Sequence, residues 1–335
     1  MTNLRTIVES TLVPHTAFER ASHRLQQCFT YAAGAAEPIC LAVVGESRTG
    51  KSRLLEEYFA NHPQERTAEG ARVPILRVKT PSKPTVKGLV ELMLQTIGDP
   101  RFGFGTENQK TSRLRVLMEN AGVRMVMIDE FQHFYDKCSH TVAHYVADWL
   151  KILVDNSPVA LVVAGLPSCL AVLEQNEQLG GRFLSPEVMP RFLWSIDDHR
   201  EEFIGILAAF QESLGRHFDM PPLDSAEMAF RCYCASGGLV GYITKFLRQA
   251  VWDALDDNRK SIPLEYLAVA HAKSVWNREK LSGVASPFSR SFVPYPTEDL
   301  IAKILSIGKP IIEVPAPRKG RTRKAAGIQH VLSAS

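Results

Sequence analysis

The stretch Leu41-Ala42-Val43-Val44-Gly45-Glu46-Ser47-Arg48-Thr49-Gly50-Lys51-Ser52 decides the fold. It reads as a buried strand, a glycine-bounded loop and the first turn of a helix, which Arg53-Leu54-Leu55-Glu56-Glu57-Tyr58-Phe59 continues. The loop fits G-x-x-x-x-G-K-[ST], a pattern that cradles phosphates. Gly45 and Gly50 let the backbone bend tightly, so that the N–H groups from Glu46 through Thr49 converge on one phosphate. The helix running on from Lys51 turns its positive end toward the same anion. Lys51 is expected to reach the β- and γ-oxygens, and Ser52 to offer a hydroxyl to Mg2+. The strand before the loop and the helix after it distinguish this match from a chance glycine turn.

A second apolar run, Val123-Arg124-Met125-Val126-Met127-Ile128-Asp129-Glu130, ends in two carboxylates. In an α/β sheet the C-terminal ends of the strands are where ligands collect, beside the phosphate loop. Asp129 is expected to hold Mg2+ through water, and Glu130 to polarise the water that attacks the γ-phosphate. ATP and Mg2+ are therefore the expected cofactors. A strand that merely ends in solvated acids is the alternative, and the upstream phosphate loop argues against it.

The chain has 335 residues, 45% of them hydrophobic, which suffices for one large core and a smaller one. Lys and Arg total 39 against 36 Asp and Glu, a net charge of +3, so the overall balance demands no nucleic acid. Positive charge is concentrated in Pro317-Arg318-Lys319-Gly320-Arg321-Thr322-Arg323-Lys324, a dense basic patch whose plainest reading is a solvated run. No apolar run approaches the roughly 18 residues of a membrane span. Met1-Thr2-Asn3-Leu4-Arg5 lacks a signal-peptide core, so a cytoplasmic location without a membrane partner is expected. The six cysteines read mostly as buried free thiols. His133, Cys138, His140 and His144 cluster after the second motif, where a polar helix surface accounts for them better than a zinc site.

In chain order, residues 4–13 read as extended or irregular and 15–31 as a helix. Val13 and His15 are candidates for adenine contact or for a surface cap. Residues 60–72 read as a polar loop and 73–79 as a short strand. A proline-punctuated loop over 80–87 then enters a helix. Lys79, Lys83 and Lys87, with hydroxyls nearby, suit contacts to DNA phosphates or a solvated helix entrance. A helix over 109–120 leads to the Asp129 strand. The unit inserted between the phosphate loop and that strand argues against simple nucleotide kinases and for ATPases with a catalytic glutamate. A helix is expected over 140–154 and a buried strand over 158–168, whose exit carries Ser168 as a γ-phosphate sensor or helix N-cap. A helix over 170–178 precedes Gly180-Gly181-Arg182. Arg182 is placed to reach a neighbouring subunit's γ-phosphate and stabilise charge in transfer, with Arg191 the rival position. Residues 188–196 read as the last strand. Helices are expected over 198–214, 225–235, 239–255 and 264–274. From Ser282 onward proline, serine and charge increase, and the segment, with one short helix over 298–307, reads as peripheral.

These elements resemble the AAA+ ATPases and, more narrowly, the TnsC/TniB family of transposition regulators. The residues that carry the resemblance begin with the phosphate loop and Lys79-Thr80-Pro81-Ser82-Lys83-Pro84-Thr85. They continue with Ile128-Asp129-Glu130-Phe131-Gln132-His133, Ala164-Gly165-Leu166-Pro167 and Gln178-Leu179-Gly180-Gly181-Arg182-Phe183. They end with Ser236-Gly237-Gly238-Leu239-Val240-Gly241. The implied fold is α/β: a P-loop domain with a parallel sheet sandwiched by helices, then a small all-helical lid. Its expected divisions are a 1–37 N-terminal segment, a 38–196 nucleotide-binding domain, a 197–283 lid and a 284–335 tail with the basic patch.

The resemblance also implies a homo-oligomer on double-stranded DNA, as a filament or a ring (a heptamer among the options), with Arg182 acting in trans. The implied partners are a target selector (TniQ/TnsD-like) and transposase subunits (TnsA/TnsB-like), and ATP hydrolysis would disassemble or reset the complex. The proline-rich lysine loop falls where this family meets DNA. One position departs: where many AAA+ lids carry an arginine near Gly241, this chain has Tyr242, leaving Lys245 or Arg248 to substitute. The competing function is another AAA+ ATPase, an origin-recognition-like initiator or a nucleotide-dependent signalling switch. An initiator is expected to carry a winged-helix domain after the lid, and the proline-rich stretch beyond Ser282 reads as too short for one.

Overall fold

The computed structural model describes residues 4–11, 13, 15–68, 70–137, 140–275 and 284–309. The strands among them are β1 (Cys40–Val44), β2 (Glu65–Thr67), β3 (Gly70–Arg72), β4 (Ile75–Lys79), β5 (Met125–Asp129), β6 (Ala160–Gly165) and β7 (Glu187–Val188). Five form one parallel sheet in the order β4-β5-β6-β1-β7. The phosphate-loop strand and the acidic strand are thus separated by β6, and the strand inserted between them in sequence, β4, caps the far edge.

The central strands are continuous apolar runs because helices cover both faces. Alternate residues serve alternate faces. Leu41 and Val43 pack with Met125, Met127, Val162 and Ala164 under α1 (Thr16–Tyr31) and α2 (Lys51–Ala60), which contribute Phe18, Leu25, Leu54 and Tyr58. Cys40, Ala42 and Val44 pack with Val126, Ile128, Leu161 and Val163 on the other face. That face is covered by α3 (Val86–Thr96), α4 (Glu107–Asn120) and α5 (His140–Asp155). Thr106 and Gln109 close a reciprocal capping box on α4, and Thr85 caps α3.

Beyond the sheet lie α6 (Asp197–Gly215), α7 (Ala226–Ser236), α8 (Val240–Asp256), α9 (Leu264–Ser274) and α10 (Glu298–Ile304). They share a separate core that includes Phe203, Phe210, Tyr233, Phe246 and Leu267. This is the helical lid.

Several expected local structures are different in the fold. Residues 4–13 are not extended: Leu4–Thr6 and Ile7–Ser10 form two short helical turns that bury Ile7 and Val8 in the lid core. The polar stretch expected as a loop forms the exposed hairpin β2–β3. The helix expected over 170–178 is broken into Leu170–Leu173 and Glu177–Gly180, because Asn176 caps the second turn by accepting from the Leu179 N–H. The strand expected over 188–196 ends at Val188. Met189 still donates to Val44 O, but Pro190 has no N–H to continue the ladder, and Phe192 donates instead to Gly238 O in the lid.

Residues 284–309 are not peripheral. Phe288, Phe292, Ile304 and Ile307 are buried in the lid core. Arg231 fastens this segment from beneath by donating to the carbonyls of Pro287 (2.6 Å), Ser289 (3.0 Å) and Phe292 (3.4 Å). The basic stretch 317–324 and Cys138 lie outside the described residues. The five described cysteines are buried free thiols.

Arg231 is buried with three carbonyls on it, whereas the Arg216–Glu212 pair is exposed. Arg231→Met is expected to lower the unfolding free energy by about 2–4 kcal/mol, because removing the buried charged donor leaves three carbonyl acceptors unpaired. Arg216→Met is expected to change it by less than about 0.5 kcal/mol. Urea denaturation followed by tryptophan fluorescence separates the two; equal effects would show that Arg231 does not hold the segment.

Candidate functional site

The C-terminal ends of β1, β5 and β6 meet the N-terminal end of α8 around a cleft of about 400 Å³. Its lining includes Ser47, Arg48, Gly50, Lys51 and Ser52 from the phosphate loop, Asp129, Glu130 and Gln132 after β5, Gly165 and Leu166 after β6, and Thr244, Lys245 and Arg248 from the lid. The two motifs read from the sequence are therefore brought together. Lys51 is buried and its Nζ donates to Gly45 O (2.8 Å) and Glu46 O (2.6 Å). Thr49 closes the loop by donating to Glu46 O. Burial holds the Lys51 ammonium below its ordinary pKa, against the opposing pull of Asp129 and Glu130.

The lid reaches the loop through main chain. The Gly241 N–H donates to Arg48 O at 3.0 Å. A Cβ on Gly241 would meet the Arg48 backbone, so this approach requires glycine. The Arg48 guanidinium lies over the Tyr242 ring, 4.6 Å from its centroid. Tyr242 thus packs on the loop while Lys245 and Arg248, one and two turns on, line the cleft. Lys245 is held below its ordinary pKa first by burial and then by the Arg48 and Arg248 charges. With Arg48 and Arg248 lining the same cleft, the three cations together favour an anion. Arg48 and Glu130 are two of the three non-glycine residues with positive φ among those described, at 69° and 56°. Such conformations collect at functional sites.

The acidic motif is held by its surroundings. Asp129 Oδ1 accepts from the Glu130 N–H at 2.8 Å, and the Asp129 carbonyl accepts from both Thr80 N and Thr80 Oγ1. Arg77 Nη2 approaches Asp129 Oδ2 at 3.9 Å. Gln132, which the sequence reading used only as a family marker, is buried in the cleft wall and donates to Glu130.

A second cavity of about 270 Å³ adjoins the loop at Thr49 and Gly50. Val8, Val13, His15, Phe18, Phe210 and Val240 make it apolar. His15 stands edge-on to Phe192, and burial holds its ring below the ordinary pKa. Its Nδ1 is buried without a hydrogen-bond partner among the described residues.

Other candidate residues fall elsewhere. Ser168 is not among the residues that line the cleft; it lies on the Pro167–Cys169 turn and its Oγ donates to Asp136. The polar side chain at the β6 exit is Gln132 instead, which accepts from the Leu166 N–H. Arg182 lies at the opposite end of β1 from the loop, where its carbonyl accepts from Cys40 N. Its side chain pairs with Asp155 at 2.7 Å and with the Gln178 carbonyl. Arg191 is not a rival for reaching a neighbour: it is buried inside its own chain. Its guanidinium pairs with Glu46 of the phosphate loop (2.6 Å) and donates to Gly237 O (2.9 Å) and Ile307 O (2.7 Å). Lys79 is exposed at the end of β4 with its Nζ 3.7 Å from Glu130 Oε1. Lys83 and Lys87 are exposed on the loop and first turn of α3. Among the described residues no group of three or more His, Cys, Asp or Glu side chains is placed to hold a metal, and His144 pairs with Asp148. No described helix is long and apolar enough to cross a membrane.

The fold is similar to solved structures of Cdc6 and ORC proteins. Cdc6p of Pyrobaculum aerophilum matches with a TM-score of 0.59 at 12% identity, covering 84% of this chain and 74% of that one. The ORC2 protein of Aeropyrum pernix, solved as ADPNP–ADP complexes, matches at 0.57 and 14%, covering 84% and 75%. The ORC1 protein of Aeropyrum pernix, solved in complex with DNA, matches at 0.55 and 14%, covering 84% and 73%. These likenesses identify the AAA+ P-loop fold. No curated protein matches the sequence. The family model described as bacterial TniB protein matches residues 3–193, more than half of the chain, and with the phosphate loop, the acidic strand and the lid assembled around one cleft, this chain belongs to the TniB family of AAA+ proteins.

Proposed function

We propose that this protein is an ATP-dependent regulator of DNA transposition that assembles on duplex target DNA. The observation that carries the reading is the single cleft in which the phosphate loop, Asp129 and Glu130, and the lid cations Lys245 and Arg248 converge. Arg48, Lys51, Arg53, Lys245 and Arg248 outnumber the two carboxylates there, which suits a polyanion.

In this reading the triphosphate takes the loop amides from Gly45 to Ser52, and Lys51 exchanges two loop carbonyls for phosphate oxygens. Ser52 and Asp129, both hard oxygen donors lining the cleft, would hold Mg2+, which supplies charge neutralisation on the phosphates. Glu130 accepts a proton from the attacking water. The adjoining apolar cavity suits the adenine, with the unpartnered His15 Nδ1 as a polar contact for it. Lys245, oriented from α8, serves the γ-phosphate in place of the lid arginine common in such ATPases. Ser168 has no part, and Gln132 takes the position at the β6 exit.

Arg182 belongs to the neighbour's site. Its place at the far end of β1 supports action in trans, once it leaves Asp155. Nucleotide between subunits would then favour a ring or filament on double-stranded DNA. The DNA-facing set is Lys79, Lys83 and Lys87, exposed cations of the kind that meet phosphates. Solved relatives of the fold bound to DNA or to adenine nucleotides are consistent with both ligands. Family membership supports the remaining steps: engagement of a target selector of the TniQ/TnsD kind, delivery to TnsA/TnsB-like transposase subunits, and hydrolysis to ADP and phosphate as the reset.

Lys51→Ala is expected to abolish binding of a fluorescent ATP analogue and nucleotide-dependent DNA binding together; retention of both would remove the loop from the function. Glu130→Gln is expected to bind the analogue normally but to cut hydrolysis by about 100-fold or more, as loss of a general base does. Hydrolysis at the wild-type rate would dismiss Glu130 as the base. Lys83→Glu is expected to weaken binding uniformly across duplex sequences and to flatten the slope of log affinity against log salt by about one. An unchanged slope in a salt titration would exclude this loop from the DNA contact.

A further inference from the structure

Of the sequence Asp129-Glu130-Phe131-Gln132-His133, the function just proposed gives chemistry to the first two residues and to Gln132 only a place at the β6 exit. Phe131 is fully buried against Phe134, 5.4 Å between ring centroids, and anchors the turn. Gln132 behaves differently: it is polar, 5% exposed, and inside the cleft wall. Its Nε2 donates to Glu130 Oε2 at 2.5 Å, and its Oε1 accepts from the Leu166 N–H at 3.1 Å. The amide therefore bridges two strand exits, β5 and β6. Its orientation is fixed by chemistry: the main-chain N–H needs the acceptor end, and the carboxylate needs the donor end. The amide lies so close to the β6 exit that a Cβ on Gly165 would run into Gln132 Oε1, so the bridge requires glycine there.

Glu130 needs such a hold. Its main chain has φ 56°, outside the ordinary L-residue regions, and the carboxylate projects into the cleft. Lys79 Nζ at 3.7 Å and His133 Nε2 at 3.9 Å flank it, but neither reaches hydrogen-bond distance. With Oε2 occupied by the Gln132 amide, Oε1 is left to face a reactant. We propose that Gln132 is a positioning residue for hydrolysis, fixing the Glu130 carboxylate through one oxygen and referring it to the β6 exit, so that the other oxygen meets the attacking water. This rests on Glu130 serving as the base. A side chain placed about 1 Å off line can cost on the order of 100-fold in rate.

The test is the Gln132→Glu variant of the full chain, with duplex DNA present. It keeps the size of the side chain and can still accept from Leu166 N–H, but it cannot donate to Glu130. The readouts are kcat and KM for ATP hydrolysis and the affinity for Mg2+ with a fluorescent non-hydrolysable ATP analogue. The expected result is a kcat reduced about 10- to 100-fold, with KM and analogue affinity within about twofold, the pattern of a lost transition-state interaction. Glu130→Gln/Gln132→Glu restores an amide–carboxylate hydrogen bond with the roles exchanged. It is expected to regain the thermal stability lost in Gln132→Glu while staying as inactive as Glu130→Gln alone.

Gln132→Glu hydrolysing within twofold of wild type, while Glu130→Gln is inactive, overturns the role of Gln132 and leaves Glu130 as the base. Analogue affinity falling in step with kcat also overturns it, since the residue would then serve binding. Wild-type hydrolysis by Glu130→Gln overturns the assignment of the base, and the positioning role falls with it.

Discussion

The phosphate loop of this protein is held from two sides by the lid, and the rest of the site depends on that grip. On one side the Gly241 N–H donates to Arg48 O. On the other, the buried Arg191 guanidinium joins Glu46 of the loop to the carbonyls of Gly237 and Ile307. A buried arginine is stable only when its donors are answered, and these are met by one carboxylate and two main-chain oxygens. A loop that binds phosphate through its own amides has little freedom of its own. Fixing it to a second core makes its geometry a property of the whole chain.

The same economy appears in how the cleft is closed. Lys245 and Arg248 come from α8, whose first turn is the one that touches Arg48. The contact that seats the lid therefore also delivers its cations. The segment 284–309 is fastened to the lid by Arg231 and places the Ile307 carbonyl on Arg191, the same side chain that pairs with Glu46 of the phosphate loop.

That the phosphate loop and the acidic strand end are separate, recognisable parts was legible in the sequence because their signals are local, and the structure brings them to one cleft. The phosphate loop needs its glycines, lysine and serine at fixed spacing, and Asp129-Glu130 closes an apolar run whose shortness suits a buried strand. Gly241 was visible as part of a glycine motif, although its reason, a backbone contact with Arg48, was not. What escaped is long-range or compositionally disguised. Arg191 meets Glu46 across 145 residues of chain. Phe288 and Phe292 lie among prolines and serines, so their burial leaves no periodic pattern, and the short helix that carries Ile304 was legible without the core it joins. Residues 7–10 make one turn of helix, too short to show a period, and are ordered by the lid they pack on. Residues 188–196 had the apolar content of a strand, but Pro190 and the pull of the lid redirect them. Ser168 was selected as the nearest hydroxyl, while the amide that fills that place, Gln132, comes from the neighbouring strand.

The central claim is that a triphosphate held between loop and lid makes copies of this chain cohere around a double helix. Sedimentation velocity of the purified protein, with a non-cleavable ATP analogue, Mg2+ and a plain duplex added singly and together, addresses it most directly. The account predicts a discrete multi-subunit species that co-sediments with DNA only when nucleotide and duplex are both present. A protein that remains monomeric and free of DNA under saturating analogue would contradict it.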